Sequence, residues 1–389
     1  MMIKREYCGN RPTKIGFSIL DIFIDVSLFV LGKKKNKSYV HPQKILLFNF
    51  GHLGDMLMMG YMINALKKQF PTVEIHLVAG RWCKLLVENN PLFDKVFYVN
   101  HFQTNRSNLS FLEKIKMFLN DAFAFIQEQK QYSYTHSFDF RYSAYNANPL
   151  LPFLTIQKKI GFGSRAWGGF LDKEYFLLAS PVHTIDIQIQ VLSELIAENS
   201  LTLEPVLFVA EQNVLPIQVT QDYLMIFPEA GIENKMLDLA TWESIVTYYL
   251  QYFPQYQVIV CGLTDYTEQL SARLTQKHAE NIINACGKLS IPQIIALLKK
   301  ASGAITLDSF PAHLTSTQTP TLCLFKGGSG FEYFPINAKA TYIIHNHLYS
   351  KEITQFRTDM DISYVESFDD EIFKKNLFVA LNKLFSINL

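Results

Sequence analysis

KILLFNFGHLGDMLM, Lys44 to Met58, is the stretch whose reading decides the fold. Ile45 to Phe50 is almost continuously apolar, the composition of a strand buried on both faces of a parallel sheet. Gly51 and Gly54 then allow a tight turn and a close backbone approach. From Met56 onward Leu57, Met58, Tyr61, Met62, Ala65 and Leu66 recur at helical spacing, and the pattern ends near Phe70 and Pro71. Asp55 therefore stands at the carboxyl edge of a strand and at the start of a helix, where open α/β sheets build ligand sites. Asp is also a favoured N-cap, so this placement alone leaves capping and function both open.

The same alternation continues outward. Strands are expected at 45–50, 73–79, 95–99, 135–140 and 158–161, with helices near 55–69, 82–89, 109–129 and 184–199. Leu201 to Gln221 carries Pro205 and Pro216 without a helical period and reads as a linker. The pattern then restarts, with strands at 223–227, 256–261, 281–284, 303–307 and 320–325 and helices near 240–253, 264–278, 290–301 and 311–318. Right-handed βαβ units in two parallel-sheet domains follow, with a cleft between their strand ends. The expected division is a basic and apolar helical segment over 1–40, Rossmann-like domains over 41–205 and 206–345, and a tail over 346–389. A final helix near 369–386 is a candidate to cross back and brace the first domain.

A chain of 389 residues with 49% hydrophobic side chains can fill two cores of this kind. The net charge of +1 excludes the strongly basic nucleic-acid binders, so an anionic substrate must be met by a local cluster. The five cysteines form no CxxC pair, which fits a reducing compartment rather than a disulfide framework. At the N-terminus Ile15 to Leu31 is strongly apolar and is flanked by lysines and arginines. Ser18, Asp21 and Asp25 make a narrow polar stripe on this helix. Three placements are open: on an anionic membrane surface, packed on the protein, or across a bilayer, where the two acids are costly.

Further residues of chemical interest follow the strands of the second half. Phe227-Pro228-Glu229-Ala230-Gly231 with Lys235 offers backbone N–H groups and a cation to a phosphate, although such loops are often plain turns. Glu268 lies a turn past Cys261-Gly262 and is suited to ribose hydroxyls or to solvent. Lys288 precedes Ser290, a natural helix N-cap. In Leu307-Asp308-Ser309-Phe310-Pro311-Ala312-His313-Leu314 a strand delivers an acid, Pro311 opens a helix, and His313 lies on its first turn. Phe325-Lys326-Gly327-Gly328-Ser329-Gly330 is a glycine-rich loop suited to backbone contact with a ligand.

The ordered segments resemble glycosyltransferase family 9, the ADP-heptose:lipopolysaccharide heptosyltransferases. They are HLGDMLM at 52–58 with the downstream KKQFPTVEIHLVA, KKIGFGSR at 158–165, HTID at 183–186, FPEAG with Lys235 and Trp242, GKLS at 287–290, DSFPAHL at 308–314 and LCLFKGGSGFEYFP at 322–335. The resemblance implies a GT-B fold, with an acceptor-binding first domain, a nucleotide-sugar-binding second domain and an extra N-terminal apolar helix here. It implies inverting transfer of heptose, or a related sugar, from an ADP-sugar to a lipopolysaccharide-core or other glycan acceptor, with no cofactor and no metal ion. Asp55 would be the general base. Ala230, Gly231, Lys235, Glu268, Lys288, Asp308, Ser309, His313, Gly327 and Gly328 would hold the donor, and His52, Arg81, Arg141 and Arg165 would face the acceptor. The expected partners are a nucleotide sugar, the glycan acceptor and an anionic membrane surface, not a nucleic acid. The expected location is the cytoplasm, with attachment to the inner face of the inner membrane as an option. Two features depart from the family pattern: Asn49, Gly51 and His52 replace its basic and small hydroxyl residues, and Phe310 replaces the glycine of its DSG. They keep a catalytically idle GT-B binding module in view, and a nucleotide-sugar epimerase of similar two-domain shape is a third reading.

Overall fold

A computed structural model describes residues 5–142, 146–176, 183–201, 203–205, 217–327, 330–336, 339–348 and 361–384. The chain divides into two units, Met1–Phe208 and Val209–Leu389. The first opens with α1 (Arg11–Val30), whose N-cap Asn10 accepts the Thr13 N–H at 3.0 Å. The apolar run that follows becomes β1 (Lys44–Asn49), and α2 (Leu53–Gln69) leads from it to β2 (Glu74–Ala79). After the short α3 (Lys84–Val87) come β3 (Lys95–Tyr98), α4 (Phe111–Gln129), β4 (Tyr134–Asp139), β5 (Ile156–Phe162), β6 (Lys173–Tyr175) and α5 (Thr184–Leu192). All six strands are parallel, in the order β3-β2-β1-β4-β5-β6. Leu46, Phe48, Val78, Phe97 and Tyr134 of the sheet pack with Phe125 of α4 in one core.

The second unit repeats the plan. Its elements are β7 (Tyr223–Phe227), α6 (Leu239–Tyr252), β8 (Gln257–Val260), α7 (Asp265–Lys277), β9 (Ile282–Asn284), α8 (Ile291–Leu298), β10 (Gly303–Leu307), α9 (Phe310–Gln318), β11 (Thr321–Phe325), β12 (Ala340–His345), β13 (Asp361–Val365) and α10 (Glu371–Leu384). Seven parallel strands run in the order β13-β12-β11-β10-β7-β8-β9. Trp242 and Tyr249 of α6 are buried against Leu224, Ile226 and Val260. Phe373, Leu377 and Leu381 of α10 lie in that same core, so the final helix packs on the sheet of its own unit.

The main α/β alternation follows the sequence closely, with differences at weak signals. Helix 82–89 is a 3-10 turn, Arg81–Cys83, followed by the single turn of α3, and α5 stops at Leu192 rather than near 199. β6, β12 and β13 lie where no strand is expected: β6 is three residues long, and the other two extend the second sheet beyond the last expected strand. Most of the expected linker, 206–216, lies outside the described residues. Among the described residues no helix is long and apolar enough to cross a membrane, and all five cysteines are free thiols.

Each sheet reverses its winding once. In the first, β1 to β3 run one way and β4 returns to the other side of β1; in the second, β10 returns beside β7. The helices on either side of such a reversal lie on opposite faces of the sheet, which leaves a crevice at the carboxyl ends of the two flanking strands.

Candidate active site

In the first unit the crevice lies past β1 and β4. α2 begins at Leu53, two residues earlier than expected, so Asp55 sits inside its first turn rather than at the N-cap. Its Oδ2 accepts the His52 backbone N–H at 2.8 Å, and its Oδ1 is paired with the guanidinium of Arg141. The carboxylate thus closes its own helix with one oxygen and meets a cation with the other. The loop before it is shaped for this. Asn49 Oδ1 accepts the Gly51 N–H at 2.9 Å, Trp82 Nε1 donates to the Gly51 carbonyl at 2.7 Å, and a Cβ on Gly51 would collide with the Asp55 carboxylate. The departures from the family pattern at Asn49 and Gly51 are therefore the residues that seat the acid.

Arg141 is itself fixed from below. Its backbone N–H donates to Asp139 Oδ1 at 2.9 Å, and the other Asp139 oxygen accepts the Ala147 N–H at 2.5 Å. Burial pushes the Asp139 carboxyl up to about 6, against the pull of these amides. His52 is pushed down to about 4 by burial and by the positive charge of Arg106, so its imidazole is neutral near pH 7. Arg106 is a cation of this site that the sequence did not mark, because it lies in a loop without a motif.

In the second unit the crevice lies past β7 and β10. Lys235, at the end of a 3-10 turn, Glu233–Lys235, reaches Asp308 Oδ2 at 2.6 Å. Burial raises the Asp308 carboxyl above the usual range, against the attraction of Lys235. Ser309 is the N-cap of α9, and its hydroxyl donates to the Glu229 carbonyl at 3.2 Å, tying the two loops together. Phe310 is the first residue of α9, and it is half-buried. The Glu229 carboxylate accepts the Leu263 N–H at 3.0 Å and the Thr264 N–H at 2.8 Å and so closes the start of α7. Gly327 lies so near the Lys235 turn that a Cβ would stand 2.6 Å from the Asn234 carbonyl oxygen, and Lys326 Nζ donates to the Met236 carbonyl at 3.0 Å.

The remaining expected residues divide into groups. The Ala230 N–H points at Met236 Sδ, 3.0 Å away, a weak acceptor that a phosphate oxygen would outcompete, and Gly231 is exposed beside it. Glu268 accepts from Asn284 Nδ2 at 2.7 Å, and Lys288 Nζ donates to the Asn284 carbonyl at 2.9 Å, forming a second polar group at the edge of β9. His313 is half-buried on the first turn of α9. Arg81 stands over the Tyr98 ring, 5.6 Å from its centroid, and Arg165 over Phe17 of α1 at 6.0 Å. Neither is placed beside Asp55 as Arg141 is. Gly328 lies outside the described residues. Among the described residues no three His, Cys, Asp or Glu side chains gather as a metal-binding group.

Two parallel-sheet Rossmann-like units, each with an ion pair at its winding reversal, make up the architecture of the GT-B fold. Solved structures share it. E. coli ADP-heptose lps heptosyltransferase II matches at 17% identity with a TM-score of 0.64, covering 88% of this chain and 99% of that one. A family 9 glycosyl transferase from Veillonella parvula DSM 2008 matches at 16% identity and 0.68, covering 88% and 97%. E. coli heptosyltransferase WaaC with ADP matches at 11% identity and 0.58, covering 82% and 99%. No curated protein matches the sequence significantly. The model of glycosyltransferase family 9 (heptosyltransferase) matches residues 123–359, more than half of the chain, and the chain belongs to that family. It is a glycosyltransferase of the heptosyl-transfer kind.

Proposed function

We propose that this protein transfers heptose or a related sugar, with inversion and without a metal ion, from an ADP-sugar to a hydroxyl of a lipopolysaccharide-core or other glycan acceptor. The observation that carries this reading is the seating of Asp55: one oxygen anchored on the His52 N–H, the other turned to Arg141 at the carboxyl edge of β1 and β4. The acceptor oxygen attacks the anomeric carbon, the bond from that carbon to the diphosphate oxygen breaks, and ADP leaves with the electron pair. Asp55 takes the hydroxyl proton as the oxygen becomes acidic in the transition state, while Arg141 fixes the carboxylate's orientation. Lys235 and the amides of Ala230, Gly231 and Ser309 meet the diphosphate and stabilise the charge that develops on departure. Asp308 binds sugar hydroxyls and orients Lys235, Gly327 admits the donor to the backbone, and Glu268 with Lys288 is the candidate ribose-binding group.

The test is release of ADP from ADP-heptose in excess EDTA, with and without de-acylated inner-core lipopolysaccharide, and NMR assignment of the product anomer. Acceptor-dependent release with an inverted product is expected. Conversion of the donor without acceptor would replace this reading with an epimerase, and absence of turnover with every sugar nucleotide would leave a binding module.

A further inference from the structure

α1 is mounted inside out. Its acids face the protein: Arg5, with 4% of its side chain exposed, lies 2.6 Å from Asp25, 3.5 Å from Asp21 and 2.6 Å from Glu174 of β6. Tyr7 adds a hydroxyl hydrogen bond to Asp21 at 2.9 Å. Gly169 comes so close that a Cβ there would stand 2.7 Å from both Asp25 Oδ1 and Ile24 Cγ2. The opposite stripe, Ile19, Ile22, Phe23, Val26, Phe29 and Val30, follows helical spacing and is bare, with Phe23 70% and Phe29 85% exposed. Around it Arg11, Lys14, Lys33, Lys34 and Lys37 are exposed, and the acids from Glu6 to Gln43 are the exposed Glu6 and the two, Asp21 and Asp25, that are turned inward onto Arg5.

We propose that this face of α1 docks the protein on an anionic lipid bilayer, with the apolar stripe among the headgroups and the flanking cations on lipid phosphates. The charge pattern selects this occupant. A second copy docked by the same stripe would set basic ends against basic ends whether the helices ran parallel or antiparallel. A spanning helix would have to pull Asp21 and Asp25 away from Arg5 into hydrocarbon. With Asp21 and Asp25 turned inward, Glu6 is the one exposed acid among the described residues up to Gln43, against five exposed cations, which gives the buried Arg5 cluster a purpose. The inference does not depend on the transfer chemistry proposed above.

Co-sedimentation of the full chain with vesicles tests it. The protein is expected to pellet with mixed phosphatidylcholine and phosphatidylglycerol vesicles, to release with added salt, and to bind pure phosphatidylcholine about tenfold or more weakly. The double variant Phe23→Ser, Phe29→Ser is expected to lose about tenfold or more in partition with an unchanged unfolding midpoint, because both rings are exposed. Lys33→Glu with Lys34→Glu is expected to lose the preference for phosphatidylglycerol. Equal partition of the parent and the Phe variant would overturn the proposal, as would self-association that the Phe variant abolishes in a chain that binds no vesicle.

Discussion

The two units place an acid at equivalent points of the same topology and use it differently. In the first, the acid ending the fourth strand, Asp139, is buried and satisfied by two backbone N–H groups, so the nearby cation, Arg141, is left to hold a second acid, Asp55, at the start of α2. In the second, the acid just past the fourth strand, Asp308, takes the cation itself, through Lys235 from the loop after β7. A carboxylate with a fixed orientation and one oxygen committed to a helix amide is suited to accepting a proton. A lysine beside a desolvated acid is suited to meeting an anion, because a phosphate can share it without uncovering a bare charge. On the proposed function the first pair serves chemistry and the second binding.

That division is broken or sharpened by substitution. The largest effect is expected from Asp55→Asn, which removes the proton acceptor but keeps the shape: kcat should fall about 10²–10⁴-fold while calorimetric donor affinity stays within a factor of about two. A loss of donor affinity of similar size would erase the distinction between the pairs. Next is the buried acid behind Arg141. With Asp139 raised from 3.8 to about 6, the folded protein binds more protons than the unfolded one across that window, so this group's contribution to stability is present below it and lost as pH rises through it. Asp139→Asn should flatten that fall, by up to roughly 3 kcal/mol, in urea unfolding at the two ends of the window. Smaller again, Lys235→Ala should weaken donor binding about thirtyfold, roughly 2 kcal/mol, and move kcat less. Unchanged affinity would remove Lys235 from the diphosphate.

Legibility in the sequence followed the strength of the local signal. β1, β7 and β10 read directly, because a buried parallel strand is an apolar run bounded by a glycine or an acid, and Asp55, Lys235 and Asp308 were marked by their position at the ends of such runs. β6 has three residues, one exposed and two half-buried, too little for any period to show, and β12 and β13 lie beyond the last motif. The partnerships were the hidden part. Nothing in the sequence pairs Asp55 with Arg141, 86 positions away, or tells that Arg165 turns to Phe17 of α1. The polar stripe of α1 was visible as a stripe, but its direction depends on Arg5 and Glu174, 169 positions apart. Pairing at such separations is decided by strand order, which periodicity does not encode.

The smallest expected effects are also the most discriminating, because each pair has a glycine pressed against it. Gly51→Ala puts a methyl into the Asp55 carboxylate, which cannot swing aside without giving up the His52 N–H or Arg141. Gly327→Ala puts one 2.6 Å from the Asn234 carbonyl, backbone of the turn that carries Lys235. Both changes overpack by one carbon and should cost about 1–3 kcal/mol locally, on the order of tenfold in whichever step depends on the displaced group. If the first pair does chemistry and the second binding, Gly51→Ala lowers kcat with donor KM unmoved, and Gly327→Ala raises donor KM with kcat unmoved. The crossed pattern separates position from mere instability, since a general loss of folded enzyme would lower kcat for both and move neither KM. If both variants shift the same parameter, the two ion pairs serve a single role and the contrast between the units is one of geometry alone.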